Sequence, residues 1–205
     1  MMVAIIDYGL GNLRSVAGAV ERLGFSATVT GAAAEIAAAD KLILPGVGAF
    51  GDGMANLRSR GLDQVLGNEV QSRRKPILGI CLGCQLVARE GEEFGRHDGL
   101  GWIDATVRRL APSDASLRVP HVGWDELVQT AASPLFVDVP PDALFYYTHS
   151  FKVEPAQADV VVGTCNYGGA FASVLQSGNI YATQFHPEKS QQHGLTLLKN
   201  FLRNA

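Results

Sequence analysis

Apolar residues fall into two rhythms in the first half of the chain. Continuous runs at 3–7 (Val-Ala-Ile-Ile-Asp), 41–44 (Lys-Leu-Ile-Leu) and 76–80 (Pro-Ile-Leu-Gly-Ile) have the length of buried strands, and 25–29 reads as a second strand. Helical spacing separates them. Leu13, Val16, Val20 and Leu23 share one face of a helix that Asn12 is placed to cap and Gly24 to end. An alanine-rich stretch at 32–39 predicts a short helix, and a longer helical region covers roughly 52–73. Strand and helix alternating in this way imply parallel βαβ units with helices on both faces. From residue 102 onward the pattern changes. Short strand-like segments at 102–110, 121–129, 144–153, 159–165, 171–176 and 180–185 are separated by Gly, Pro, Asn or Asp, which favours antiparallel or mixed pairing. Leu195, Leu198, Phe201 and Leu202 mark a closing amphipathic helix at 192–203. With no repeat, long linker or low-complexity stretch, residues 1–205 read as one α/β domain. A central, mixed but mostly parallel sheet is flanked by helices, with antiparallel strands added in the second half.

Composition narrows the class. Of 205 residues, 47% are apolar and 18% charged, enough to bury a core. The net charge of −3 offers no basic excess for a phosphate backbone and counts against nucleic acid as partner. No apolar run reaches the ~18 residues of a membrane span, and Asp7 interrupts the first one before a signal-peptide core forms. Three cysteines are too few for a disulfide scaffold and suit a reducing, cytoplasmic location.

One of those cysteines carries chemistry. Gly79-Ile80-Cys81-Leu82-Gly83, between a buried strand and a helical pattern, has the form of a nucleophile elbow with Cys in the Ser position. A nucleophile on so sharp a turn sits in strained backbone and needs small neighbours two residues away. The turn also sets the sulfur at a helix N-terminus, which favours thiolate, and lets the Leu82 amide face an oxyanion. A buried cysteine among packing glycines fits the pentapeptide equally. Gln184-Phe185-His186-Pro187-Glu188 tips the balance. In an extended stretch His186 and Glu188 project to one side, as a base and its orienting carboxylate. Pro45-Gly46-Val47-Gly48 after a strand is either a plain turn or a peptide that presents its N–H to the site. Gly9-x-Gly11 lacks the third glycine of a dinucleotide fingerprint, since Arg14 stands there, so no nicotinamide cofactor is expected.

At these residues the chain resembles the triad-type, class I glutamine amidotransferases over nearly its whole length. Within them it is most similar to the glutaminase subunits of imidazole glycerol phosphate synthase, in histidine biosynthesis. The marks are Gly9-Leu10-Gly11-Asn12, Pro45-Gly46-Val47-Gly48-Ala49-Phe50, Val119-Pro120-His121-Val122-Gly123-Trp124, Tyr147-Thr148-His149-Ser150 and His186-Pro187-Glu188-Lys189-Ser190-Gln191. Val47 and Lys189 stand where an anthranilate synthase-type glutaminase is expected to carry Pro and Ser. The resemblance implies Cys81 as nucleophile, His186 as base and acid, and Glu188 as its orienter. It implies Leu82 and, after a peptide reorientation, Val47 as oxyanion donors. Glutamine contacts are implied for Gly48, Gln85 and Glu93 and for His149, Ser150 and the backbone to Phe151. A partner-facing surface is implied for Asn12, Tyr146 and Lys189. The implied partner is a cyclase subunit, a (β/α)₈ barrel, that consumes the ammonia; no cofactor or metal is implied.

Three positions depart from the family pattern: Cys84 for the usual Met, Phe151 for a common Tyr, and Asp125 for the Asn after Trp124. Cys81-Leu82-Gly83-Cys84 is also the spacing of a thiol–disulfide oxidoreductase. A redox dithiol, however, has no need of a downstream His-Pro-Glu or of Gln85. Zinc wants four organised ligands, and only Cys165 remains. Cys84 therefore reads as a packing residue. His97 reads as a solvated loop residue, His193 as a surface residue at a helix start and His121 as structural or interfacial.

Overall fold

The computed structural model describes residues 1–205. The first half builds the expected parallel units: β1 (Met2–Ile6), α1 (Leu13–Arg22), β2 (Ser26–Thr30), α2 (Ala33–Ala38), β3 (Lys41–Gly46), α3 (Phe50–Ser59), α4 (Leu62–Gly67), β4 (Ile77–Cys81) and α5 (Leu82–Leu86). The second half adds β5 (Ala88–Gly91), β6 (His97–Asp98), β7 (Ile103–Arg109), β8 (His121–Glu126), β9 (Val128–Gln129), β10 (Leu144–His149), β11 (Phe151–Pro155), β12 (Val161–Asn166), β13 (Ala170–Ser177), β14 (Ile180–Thr183) and α6 (Gln191–Asn204). The main sheet runs β2-β1-β3-β4-β14-β13-β11-β7-β5-β6, with β12 and β9 joined to β13, while β8 and β10 form a separate antiparallel pair. From β2 to β14 every pairing is parallel. No helix is long and apolar enough to cross a membrane.

Alternation along the central strands feeds two cores, one on each face. Val3, Ile5, Ile43, Leu78 and Ile80 pack toward α1 and α6, alongside Val16, Val20, Leu198 and Phe201. Ala4, Ile6, Leu42, Leu44 and Ile77 pack toward α2, α3 and α4, alongside Ile36, Leu57 and Leu66. This two-sided burial makes those strands read as unbroken apolar runs. Lys41, at the start of β3, is buried yet charged. Its Nζ donates to the Phe201 carbonyl at 2.7 Å and to that of Ala205, so it caps the last turn of α6.

Several sequence expectations need correction. Asn12 stands at the N-cap of α1 but makes no capping bond; its Oδ1 accepts from Ser15 Oγ at 2.9 Å. The 52–73 helix breaks at Gly61 (φ +66°), and a π-helical turn at Asn68–Ser72 closes it. The run 144–153 is two strands in two sheets, because the chain leaves β8 at His149 and joins β7 from Phe151. Residues 88–91, without a clear period of their own, form a strand between β7 and the two-residue edge strand at 97–98. His97 is half-buried against Gly51 rather than loose, and half-buried His193 lies 6.4 Å from the Phe145 ring.

Candidate active site

Three adjacent parallel strands, β3, β4 and β14, end side by side, and the residues after them meet there. In open α/β sheets this carboxyl-end crevice is where ligands bind. Cys81 closes β4 with φ +54° and ψ −106°, a backbone region that non-glycine residues avoid. Such a conformation costs of order 1–3 kcal/mol and persists only when its surroundings enforce it. The enforcement is visible on both sides. A Cβ at Gly79 would lie 2.6 Å from the Gly83 carbonyl oxygen, and one at Gly83 would run into the Leu44 carbonyl. These are the small neighbours that the elbow demands. The helix behind it, α5, has only five residues, so the dipole contribution expected from the sequence is small.

His186 follows β14 and is almost fully buried. Its Nδ1 lies 2.8 Å from Glu188 Oε1, with the Glu188 side chain 1% exposed. The pair meets by a route other than the extended one expected. Pro187–Lys189 is a 3₁₀ turn that folds Glu188 back on the ring, and Pro187 suits its first position. Ser190 Oγ donates to the His186 carbonyl at 2.6 Å and accepts the Tyr146 amide at 2.9 Å, tying the turn to β10. Burial lowers the His186 pKa, but the Cys81 sulfur and the Glu188 carboxylate outweigh it and raise it to about 9. His186 Nε2 has no hydrogen-bond partner within the protein.

Cys81 and His186 open into one cavity of about 310 Å³, lined also by Val47, Gly48, Leu82, Gln85, Glu93 and the segment Thr148–Phe151. That volume lies at the small end of the ~300–1,000 Å³ of ligand pockets. Every predicted pocket residue is therefore brought together here. Gly48 takes φ +112° in the loop after β3. Gln85 spends its amide N–H groups internally, on the Phe151 carbonyl (3.0 Å) and on Gln184 Oε1 (3.1 Å), which leaves its own oxygen uncommitted. One Glu93 oxygen accepts the Phe50 amide at the start of α3, at 2.8 Å. His149 Nδ1 bonds the Phe151 carbonyl at 2.8 Å, and burial above all lowers its pKa to about 4.

Two contributors were missed in the sequence. Gln184, fully buried, donates from Nε2 toward Cys81 Sγ at 3.9 Å, and the Thr148 carbonyl lies 3.8 Å from the same sulfur. Gln184 sits two residues before His186, a period-2 signal; Thr148 acts through its backbone and leaves no side-chain signal. Cys84 is wholly buried, and burial first, then the Cys81 charge, pushes its thiol well up. Its full burial behind the elbow suits the packing role read from the sequence. Outside the pocket, Lys189 Nζ sits 5.7 Å over the Tyr146 ring, itself edge-on to the exposed Trp124. Asn12 makes no hydrogen bond to that cluster.

The family model described as glutamine amidotransferase class-I matches residues 4–205. The chain is 47% identical over 206 residues (98% of this chain, 97% of the relative) to imidazole glycerol phosphate synthase subunit HisH 2 of Nitrobacter winogradskyi. It is 48% identical over 205 residues, 98% of each chain, to the HisH subunit of Syntrophotalea carbinolica. Among solved structures, PurLQS from Thermotoga maritima superposes with a TM-score of 0.76 at 18% identity, covering 98% of this chain and 97% of that one. The glutaminase domain of Trypanosoma brucei CTPS with bound acivicin gives 0.66 at 15%, covering 100% and 95%. At such identities the structures speak for the fold alone.

Proposed function

The chain belongs to the class-I glutamine amidotransferase family, and we propose that it is the glutamine-hydrolysing subunit of an imidazole glycerol phosphate synthase, with Cys81, His186 and Glu188 as its catalytic residues. The observation that carries this is the strained Cys81 elbow opening into the same pocket as a buried His186–Glu188 pair bonded at 2.8 Å. The names of the two relatives favour this synthase over one of anthranilate type.

Glutamine enters with its side-chain amide toward Cys81. The sulfur, its proton held by His186, attacks the carboxamide carbon. The resulting oxyanion is held by the Leu82 amide and by the Val47 amide, once that peptide faces the pocket. With its pKa raised to about 9, His186 is protonated at neutral pH and hands its proton to the departing amine as the C–N bond breaks. A glutamyl thioester and ammonia result. His186 then takes a proton from water, whose oxygen displaces the sulfur and gives glutamate. Gly48, Gln85, Glu93, His149 and Ser150 hold the amino-acid end of glutamine, Gln85 through its uncommitted oxygen.

Ammonia released into water at neutral pH becomes ammonium, which is no nucleophile, so the product must pass directly to an acceptor. The acceptor reading is a cyclase subunit with a (β/α)₈ barrel, seated over Asn12, Tyr146 and Lys189, in the cytoplasm. Support comes from the exposed Trp124 and Leu144 beside Tyr146 and Lys189. The test is glutamate production by wild type and Cys81→Ser, with and without that subunit and its nucleotide. Hydrolysis that needs Cys81 and rises with the loaded partner is expected. Equal rates in all four mixtures would overturn the reading.

A further inference from the structure

Behind the pocket wall, a line leads from His149 to two titratable groups, His121 and Asp125, that the chemistry above does not use. His149 Nδ1 is 2.8 Å from the Phe151 carbonyl, His149 Nε2 is 3.0 Å from His121 Nδ1, and His121 Nε2 is 2.6 Å from Asp125 Oδ2. His121 is fully buried, sandwiched between the Tyr147 and Tyr167 rings, whereas the Asp125 side chain is 38% exposed. The line thus runs from the solvent edge of β8 to the turn that walls the pocket.

Counting protons decides what the line contains. A carbonyl only accepts, so His149 carries hydrogen on Nδ1. A neutral His149 then accepts at Nε2, and His121 must donate from Nδ1. That leaves His121 Nε2 facing a carboxylate oxygen at 2.6 Å, a contact that needs a proton of its own. Three hydrogen bonds need three protons, and two neutral imidazoles supply two. We propose that Asp125, His121 and His149 form one proton-sharing chain with a third proton between Asp125 and His121, and that this chain positions the Thr148–Phe151 wall of the glutamine pocket. Asp125 and His121 are positioning residues: they touch neither the reacting sulfur nor the pocket. The proposal rests on the glutaminase reading for its kinetic consequence, not for its proton count.

Other groups facing the line leave the count unchanged. Burial pushes the Tyr147 phenol far up and the Cys165 thiol up to about 12, so both stay neutral. Tyr167 contributes its ring face, and His186 lies beyond His149, whose low pKa keeps the pocket end uncharged. Burial, more than Asp125 can offset, lowers the His121 pKa, which moves loss of the shared proton toward acid pH. As pH rises through that step, a carboxylate is left facing an imidazole lone pair and the link opens.

The test compares wild type with Asp125→Asn, whose amide N–H can donate to His121 Nε2 and complete all three bonds without a third proton. Glutamine KM and kcat are measured separately between about pH 5 and 8, the range in which histidine titrates. The wild-type KM is expected to rise with pH by about tenfold, the scale of one charge-assisted hydrogen bond, while that of Asp125→Asn stays flat and the kcat profiles coincide. Superimposable KM profiles would overturn the positioning role. Ring-nitrogen NMR tests the chain without any turnover. It should show Nδ1–H on both histidines in Asp125→Asn, and a shared proton at His121 Nε2 in wild type that is lost as pH rises. A proton on His149 Nε2 in place of Nδ1, or no step at His121, would overturn the count. A wild type that hydrolyses no glutamine would defeat the functional reading while these spectra still judged the chain.

Discussion

Replacing Glu188 with Gln removes a charge and alters almost nothing else. The carboxylate is 1% exposed, one oxygen lies 2.8 Å from His186 Nδ1 and the other has no partner, so the amide fits the same space. Its effect falls on the imidazole. The carboxylate keeps hydrogen on Nδ1 and leaves Nε2 as the nitrogen that exchanges protons with the sulfur. A glutamine amide can donate to Nδ1 instead, which moves the ring hydrogen to Nε2 and blocks it as a base. Loss of the charged hydrogen bond alone is worth about 1.5–3 kcal/mol, about 10- to 150-fold in rate. A wrong tautomer in a comparable triad costs about 10⁴ in kcat. The expectation for Glu188→Gln is therefore a kcat loss of about 10²–10⁴ with little change in glutamine KM, measured as glutamate release with the loaded partner present. Histidine ring-nitrogen NMR should show His186 hydrogen on Nε2. A kcat within about tenfold of wild type would refute the orienting role, because even the lost bond exceeds that.

Other outcomes follow from the same geometry. Gly83→Ala would drive a Cβ into the Leu44 carbonyl, so a loss of at least about 2 kcal/mol in urea unfolding and a collapse of activity are expected; a fully active, equally stable variant would mean the elbow is not held as described. His186 rises from 6.5 to about 9 on folding, so its stabilisation is complete below pH 6.5 and fades as pH climbs through 9. The urea midpoint should fall over that window, and fall less in Cys81→Ala, which lacks one of the raising partners. Cys84→Ser should keep glutaminase activity while losing about 1–3 kcal/mol for a buried hydroxyl, and lost activity in a folded variant would contradict its packing role. Lys41→Met should cost about 1–3 kcal/mol by freeing the α6 carbonyls, read as a lower Tm.

What was legible in the sequence was whatever depends on neighbours along the chain. The Cys81 elbow is local: Gly79 and Gly83 are small because backbone passes against them, and that need is written within five residues. The parallel half was equally plain, since strands buried on both faces cannot conceal their apolar runs. Contacts created by pairing were not. Phe151 O accepts from Gln85 and His149 only because the chain changes sheets at Ser150, and nothing in Leu144–Val153 announces that break. The Glu188 approach was anticipated for a partly wrong reason, spacing two apart in a strand, when a proline-started turn brings it round. The offset of two from His186 hints at Gln184, but its approach to Cys81 exists only because β14 lies beside β4.

The central claim is that Cys81 forms a bond to the glutamyl carbon. It is tested most directly by mixing the protein and its loaded partner with glutamine, quenching in acid within the first turnover, and weighing the intact chain. A species heavier by one glutamyl group, mapped to the Cys81 peptide and absent from Cys81→Ser, is the predicted result. Glutamate release at full rate with no adduct on Cys81, or by Cys81→Ser itself, would contradict the account.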